Sequence, residues 1–108
     1  MIELLVYNGR DNTADLVLEA DGAVVSIAAI SRVRLELDSG AIDSDVSSQA
    51  DFFEWPATLS DGGTTVQGLR LKLGGAGLKA GSHKGRLVVF AADYPGGLVW
   101  DQVSVRVM

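Results

Sequence analysis

Nucleophilic catalysis needs a base, and the one histidine in the chain, His83, follows Ser82 in the stretch Ala80-Gly81-Ser82-His83-Lys84. A serine beside a histidine along the chain is not a triad, because the ring must also be oriented by an acid that the sequence does not mark. His83 is therefore expected at the surface or flanking a hairpin. Asp43-Ser44-Asp45 opens like a calcium loop, in which alternate carboxylates converge on a hard cation, yet the sixth position is Ser48 and not the glycine that the sharp turn requires. A polar turn capped by its own side chains is the expectation there. Gly74-Gly75-Ala76-Gly77 lacks the lysine and hydroxyl residue of a phosphate loop, and no helical pattern follows it. It reads as a connection between strands. No catalytic residue, metal site or cofactor is expected, and no enzyme activity.

The aromatic residues offer a different chemistry. Tyr7, Phe52, Phe53, Trp55, Phe90, Tyr94 and Trp100 are spread along the chain as sandwich-core aromatics would be. Trp55, Trp100 and Tyr94 could instead stack on a sugar or anchor a protein partner. Trp100 stands beside Asp101 and out of phase with Val103, Val105 and Val107, which puts it on the opposite face or at a strand end.

The elements that must position these residues are strands. Val33, Leu35 and Leu37 alternate with Arg32, Arg34, Glu36 and Asp38; Leu69, Leu71 and Leu73 alternate with Arg70 and Lys72; Val103, Val105 and Val107 alternate with Gln102, Ser104 and Arg106. A period of two sets one face on a core and the other in water. Thr13–Ala20 predicts another strand with Ala14, Leu16 and Leu18 on one face. Leu4–Tyr7 and Leu87–Ala92 are continuously apolar, as in strands covered on both faces or strands at an interface. Phe52–Trp55 predicts a short aromatic strand that Pro56 must end or place at a sheet edge, since proline has no ladder donor. Ser26–Ile30 fits a helical turn or a short strand, and Asp43–Gln49 an exposed loop. Glycine-containing turns at Asn8-Gly9, Asp21-Gly22, Ser39-Gly40, Asp61-Gly62-Gly63, Gly74-Gly75 and Tyr94-Pro95-Gly96-Gly97 separate the runs. About eight short strands, within a range of seven to nine, predict an all-β fold, an immunoglobulin-like antiparallel β-sandwich spanning residues 1–108 as a single domain.

Composition narrows the function classes. With no cysteine among 108 residues, disulfides and cysteine-based zinc sites are excluded. The net charge of −5 argues against generic nucleic-acid binding. Residues 1–61 hold twelve acids and three bases (−9), and residues 62–108 two acids and six bases (+4). Strands from both halves interleave in a sandwich, so this split predicts either a mixed surface or complementary docking patches. A signal peptide is not apparent, nor an apolar run long enough for a membrane helix, and no membrane partner is expected.

The segment from Asp21 to Val107 resembles small tailed-phage virion proteins, including the N-terminal immunoglobulin-like domain of phage baseplate upper proteins. The elements that carry the likeness are Ala23–Ile30 leading into Arg32-Val33-Arg34-Leu35-Glu36-Leu37, then Ile42-Asp43-Ser44, Phe53-Glu54-Trp55, Gly68-Leu69-Arg70-Leu71-Lys72-Leu73, Leu78-Lys79-Ala80-Gly81-Ser82-His83, and Leu87-Val88-Val89-Phe90 ending at Gly97-Leu98-Val99-Trp100. These are strand-and-turn features. Unlike baseplate upper proteins, this chain shows no helical or fibre-forming extension. The resemblance implies a non-enzymatic virion subunit, located in the particle, that contacts other phage virion proteins and copies of itself on the tail, baseplate or head. The contact candidates are Trp55, Val88, Phe90, Tyr94, Leu98 and Trp100, with Leu98–Trp100 read as a loop. The alternative is an adhesin or carbohydrate-binding module that uses exposed aromatics.

Overall fold

The structure, a computed structural model, describes residues 2–17, 19–20, 23–24, 29–61, 63–92 and 94–108, with the backbone alone at 19–20, 23–24, 61 and 64. In chain order the strands are β1 (Ile2–Val6), β2 (Ala14–Leu16), β3 (Glu19–Ala20), β4 (Ala23–Val24), β5 (Ile30–Leu37), β6 (Gly40–Asp43), β7 (Phe53–Asp61), β8 (Thr64–Leu71), β9 (Gly81–Ala91) and β10 (Tyr94–Val107). A 3₁₀ turn, Ala50–Phe52, leads into β7.

Eight of these strands build two sheets, in the orders β1-β10-β9-β5-β6 and β2-β8-β7, while β3 and β4 form a separate ribbon. Lettered in chain order with the ribbon set aside, the sheets read A-G-F-C-C′ and B-E-D, the arrangement of an immunoglobulin sandwich whose first strand has joined the G strand. That first pairing is parallel, Ile2 to Val6 against Val103 to Val107; the other described pairings are antiparallel.

The alternation in the sequence is the alternation of the faces. Val33, Leu35, Leu37, Leu69, Leu71, Leu73, Val103, Val105 and Val107 all enter one hydrophobic cluster, joined by Leu4, Val6, Leu87 and Val89. The continuously apolar runs also alternate. In β1, Leu4 and Val6 are buried and Leu5 is exposed, with Tyr7 exposed just beyond the strand. In β9, Leu87 and Val89 belong to the core cluster, whereas Val88 does not. Pro56 lies in β7, an edge strand, where the register with β8 shifts between Glu54 and Ala57. A proline on an outer edge, at a break in the ladder, deprives no neighbour of a hydrogen bond.

Several expectations need correction. Leu98–Trp100 is not a loop but part of β10, and Trp100 does not face away from the core. The register of β10 against β9 shifts between Val99 and Asp101, so Trp100 is an inserted residue that resets the phase and packs against the core cluster. The strand expected over Thr13–Ala20 is β2, with Ala14 and Leu16 on the core side; Leu18 lies outside the described residues. Also outside them are Asp21, Gly22, Gly62 and most of Ser26–Ile30, whose last residue begins β5. No helix among the described residues is long and apolar enough to cross a membrane.

Candidate interaction face

The outer surface of the five-stranded sheet is set by register. Residues opposite one another across a ladder share a face, so Val99, Val88, Arg34 and Asp43 form one row across β10, β9, β5 and β6. Phe90 and Arg32 form part of the row above; Gln102, Arg86, Glu36 and Ala41 form the row below. Val99 is 52% exposed, and Tyr94 at the start of β10 is 49% exposed.

Gly97 lets this patch lie flat. Its φ is +90°, and a β-carbon built there would stand 2.7 Å from the Phe90 ring and 2.8 Å from Val88. The two side chains therefore lean across β10 where any other residue would push them off. The Arg32 guanidinium covers the Phe90 ring at 4.5 Å from its centroid, an arrangement that holds the ring and leaves the cation at the rim of the apolar patch. A shallow depression lined by Ser31, Arg32, Asp45, Phe90, Ala92 and Pro95 borders it.

Asp43 anchors Arg32. The guanidinium donates from Nε to Asp43 Oδ1 at 2.9 Å and from its terminal nitrogen to Oδ2, and the Asp45 backbone N–H donates to Oδ1 at 3.0 Å. The Arg32 hydrogen bond, acting against burial, holds the Asp43 carboxyl below its usual range. Asp43 is thus occupied by a fork and a turn. Glu54, the twelfth residue counted from Asp43, stands on the outer face of the other sheet beside Arg70, so the two carboxylates do not converge on one cation site.

His83 is buried at 7% exposure, contrary to a surface position. Its Nε2 lies 2.7 Å from the Lys79 carbonyl and its Nδ1 2.7 Å from Ser39 Oγ. A carbonyl can only accept, so Nε2 donates to it, and Nδ1 shares a hydrogen bond with the Ser39 hydroxyl. Asp38 approaches the same Nδ1, at 3.8 Å. A catalytic relay needs the acid on the nitrogen remote from the serine. Here that nitrogen is fixed by a main-chain carbonyl, and the arrangement pins the β5–β6 turn to the start of β9.

The six contact candidates divide accordingly. Tyr94 is exposed and Phe90 half-buried at the outer patch, whereas Val88, on the same face, is buried at 6% exposure. Leu98 stands opposite Val89 and is 36% exposed. Trp55 and Trp100 are packed against the core, and the Trp55 indole N–H donates to the Ile30 carbonyl at 2.9 Å. They are not part of the patch. Val99, which joins it, lies inside the Leu98–Trp100 segment read from the sequence as a contact surface but is not one of the six candidates; the hairpin register sets it opposite Val88.

The charges at the outward strand positions of this face are Arg32, Arg34, Lys84, Arg86 and Arg106 against Glu3, Glu36 and Asp43, and Asp45, just beyond β6 and 3.4 Å from Arg32, adds a fourth acid, five bases to four acids in a chain of −5. Arg86 donates to Glu36 at 2.7 Å. The Arg34 Nε is buried without a hydrogen bond, with Glu36 Oε2 3.3 Å away. Compared with protein-family models, curated proteins and solved structures, the chain has no match in any of the three.

Proposed function

We propose that the chain is a non-enzymatic structural subunit of a tailed-phage particle, docking on the tail, baseplate or head through the outer face of its five-stranded sheet. The observation that carries the docking role is the exposed pair Val99 and Tyr94 beside the half-buried Phe90, with Val88 buried on the same face and arginines at the rim. An apolar centre with a charged rim is the anatomy of a protein contact, and a ligand site would be concave with convergent polar groups. The phage assignment rests on the resemblance over Asp21–Val107.

Mass spectrometry of purified particles tests the assignment: the chain is expected as a particle component, and its presence solely as free protein in infected cells would sink the reading. Of the three rings that the rival adhesin or carbohydrate-binding role would use, Tyr94 stays exposed while Trp55 and Trp100 pack against the core. Titration with a panel of host glycans, followed by intrinsic fluorescence, separates the two readings. A saturable response lost in Tyr94→Ala favours the rival.

A further inference from the structure

Edge strands invite pairing with other chains, and folds suppress this with short strands, prolines or bulges. Among the described residues, three of the four edges of the two larger sheets are so managed. β6 has four residues and β2 three, and β7 carries Pro56 at a register shift. The upper part of β10, beyond the reach of β1, carries Pro95 between irregular registers. β1 differs. It is a regular five-residue edge, Ile2–Val6, with no proline or lysine, bonded to β10 on one side. Leu5 on it is 48% exposed and Tyr7 just after it 41% exposed.

We propose that two copies of this chain pair antiparallel through β1 about a two-fold axis at Leu4, joining their five-stranded sheets into one. The sequence of β1 is self-complementary in this register. Ile2 stands opposite Val6 of the second copy, Glu3 opposite Leu5, and Leu4 opposite itself, so each face stays consistent across the junction. Shifting the pairing by two residues either way leaves three strand residues in register, and one of the two shifts also sets Glu3 against Glu3. Charge favours the same choice. Leu5 neighbours Arg106 on β10, on the outer face where Glu3 also stands. Leu5 then lies between Glu3 of the second copy and Arg106 of its own chain, which stand two strand spacings or about 10 Å apart, a gap these long side chains span. The pairing is independent of the docking patch, which lies at the other end of β10.

Sedimentation equilibrium of the full chain and of three surface variants tests it. Wild type is expected to dimerise. Glu3→Lys and Arg106→Glu each turn two symmetry-related attractions into repulsions and are expected to weaken the dimer on the order of tenfold. The double variant Glu3→Lys with Arg106→Glu is expected to recover it. Hydrogen exchange should show amide protection in Ile2–Val6 rising with protein concentration. A monomer at all concentrations, a dimer indifferent to the single variants, failure of the double variant to recover, or concentration-dependent protection at Leu98–Val99 instead would each overturn the proposal.

Discussion

The outer surfaces of the two sheets solve the same problem differently. On the three-stranded sheet, Asp15, Arg70 and Glu54 stand in one row across β2, β8 and β7. Arg70 donates to Asp15 at 2.9 Å and to Glu54 at 3.0 Å, and Lys72 lies 3.6 Å from Glu54. Two acids and two bases close on each other, and that row presents water with a surface needing no partner. The corresponding row of the five-stranded sheet runs Val99, Val88, Arg34, Asp43, and half of it is apolar. The lesson is that strand alternation alone does not make a face polar. Where it fails to, the face is available for contact, and the exposed Val99 marks that place.

The widest gap expected between inner and outer positions is in core truncation. Leu71→Ala removes a fully buried side chain and is expected to cost about 2–5 kcal/mol, whereas Val99→Ala on the outer patch should stay within about 0.5 kcal/mol; urea denaturation of both compares them directly. A Val99 cost as large as that of Leu71 would make the patch part of the core.

Asp43→Asn comes next, at roughly 2 kcal/mol, because it leaves the Arg32 fork half unmatched and weakens the turn at Asp45. The pH dependence has a definite sign. The folded carboxyl is held below its usual range, so the unfolded chain binds more protons around that range. The contribution is present above the ordinary carboxylate pKa and is lost as pH falls through the depressed folded value. Wild-type and Asp43→Asn stability curves should therefore converge in acid, and curves that stay parallel would contradict the assignment.

Gly97→Ala is expected to cost about 1–2 kcal/mol, from the positive φ and the crowding of Phe90. Near-ultraviolet circular dichroism should report the displaced ring, while a spectrum identical to wild type would remove Gly97 from the account. The smallest effect belongs to the closed charge row: Arg70→Met should lower Tm by no more than ~4 °C at low salt, with the difference shrinking in 1 M salt. A large, salt-independent loss would show that the three-stranded face carries more than surface pairing.

Much of this architecture is legible in the sequence, because a period of two maps directly onto a half-buried strand. The triplets at Val33, Leu69 and Val103 name their own buried face. Legibility ends where period two is interrupted or saturated. The inserted residue at Trp100 shifts the phase of β10, so its position relative to Val103 points the wrong way. In Leu87–Ala92 every residue is apolar, and the identity of the outward pair, Val88 and Phe90, is settled by neighbouring strands. The burial of His83 depends on Ser39, forty-four positions away, and on the Lys79 carbonyl. The parallel pairing of β1 with β10 leaves no mark on either strand, since parallel and antiparallel partners share the same alternation.

Docking of the outer patch onto a phage particle, the role proposed for this chain, is open to direct test. The direct measurement is the amount of chain recovered in purified particles for wild type and for Val99→Arg, with circular dichroism confirming that both are folded. Near-complete loss of the variant from particles that retain wild type is the predicted result. Equal recovery of the two, or absence of wild type from particles, would contradict it.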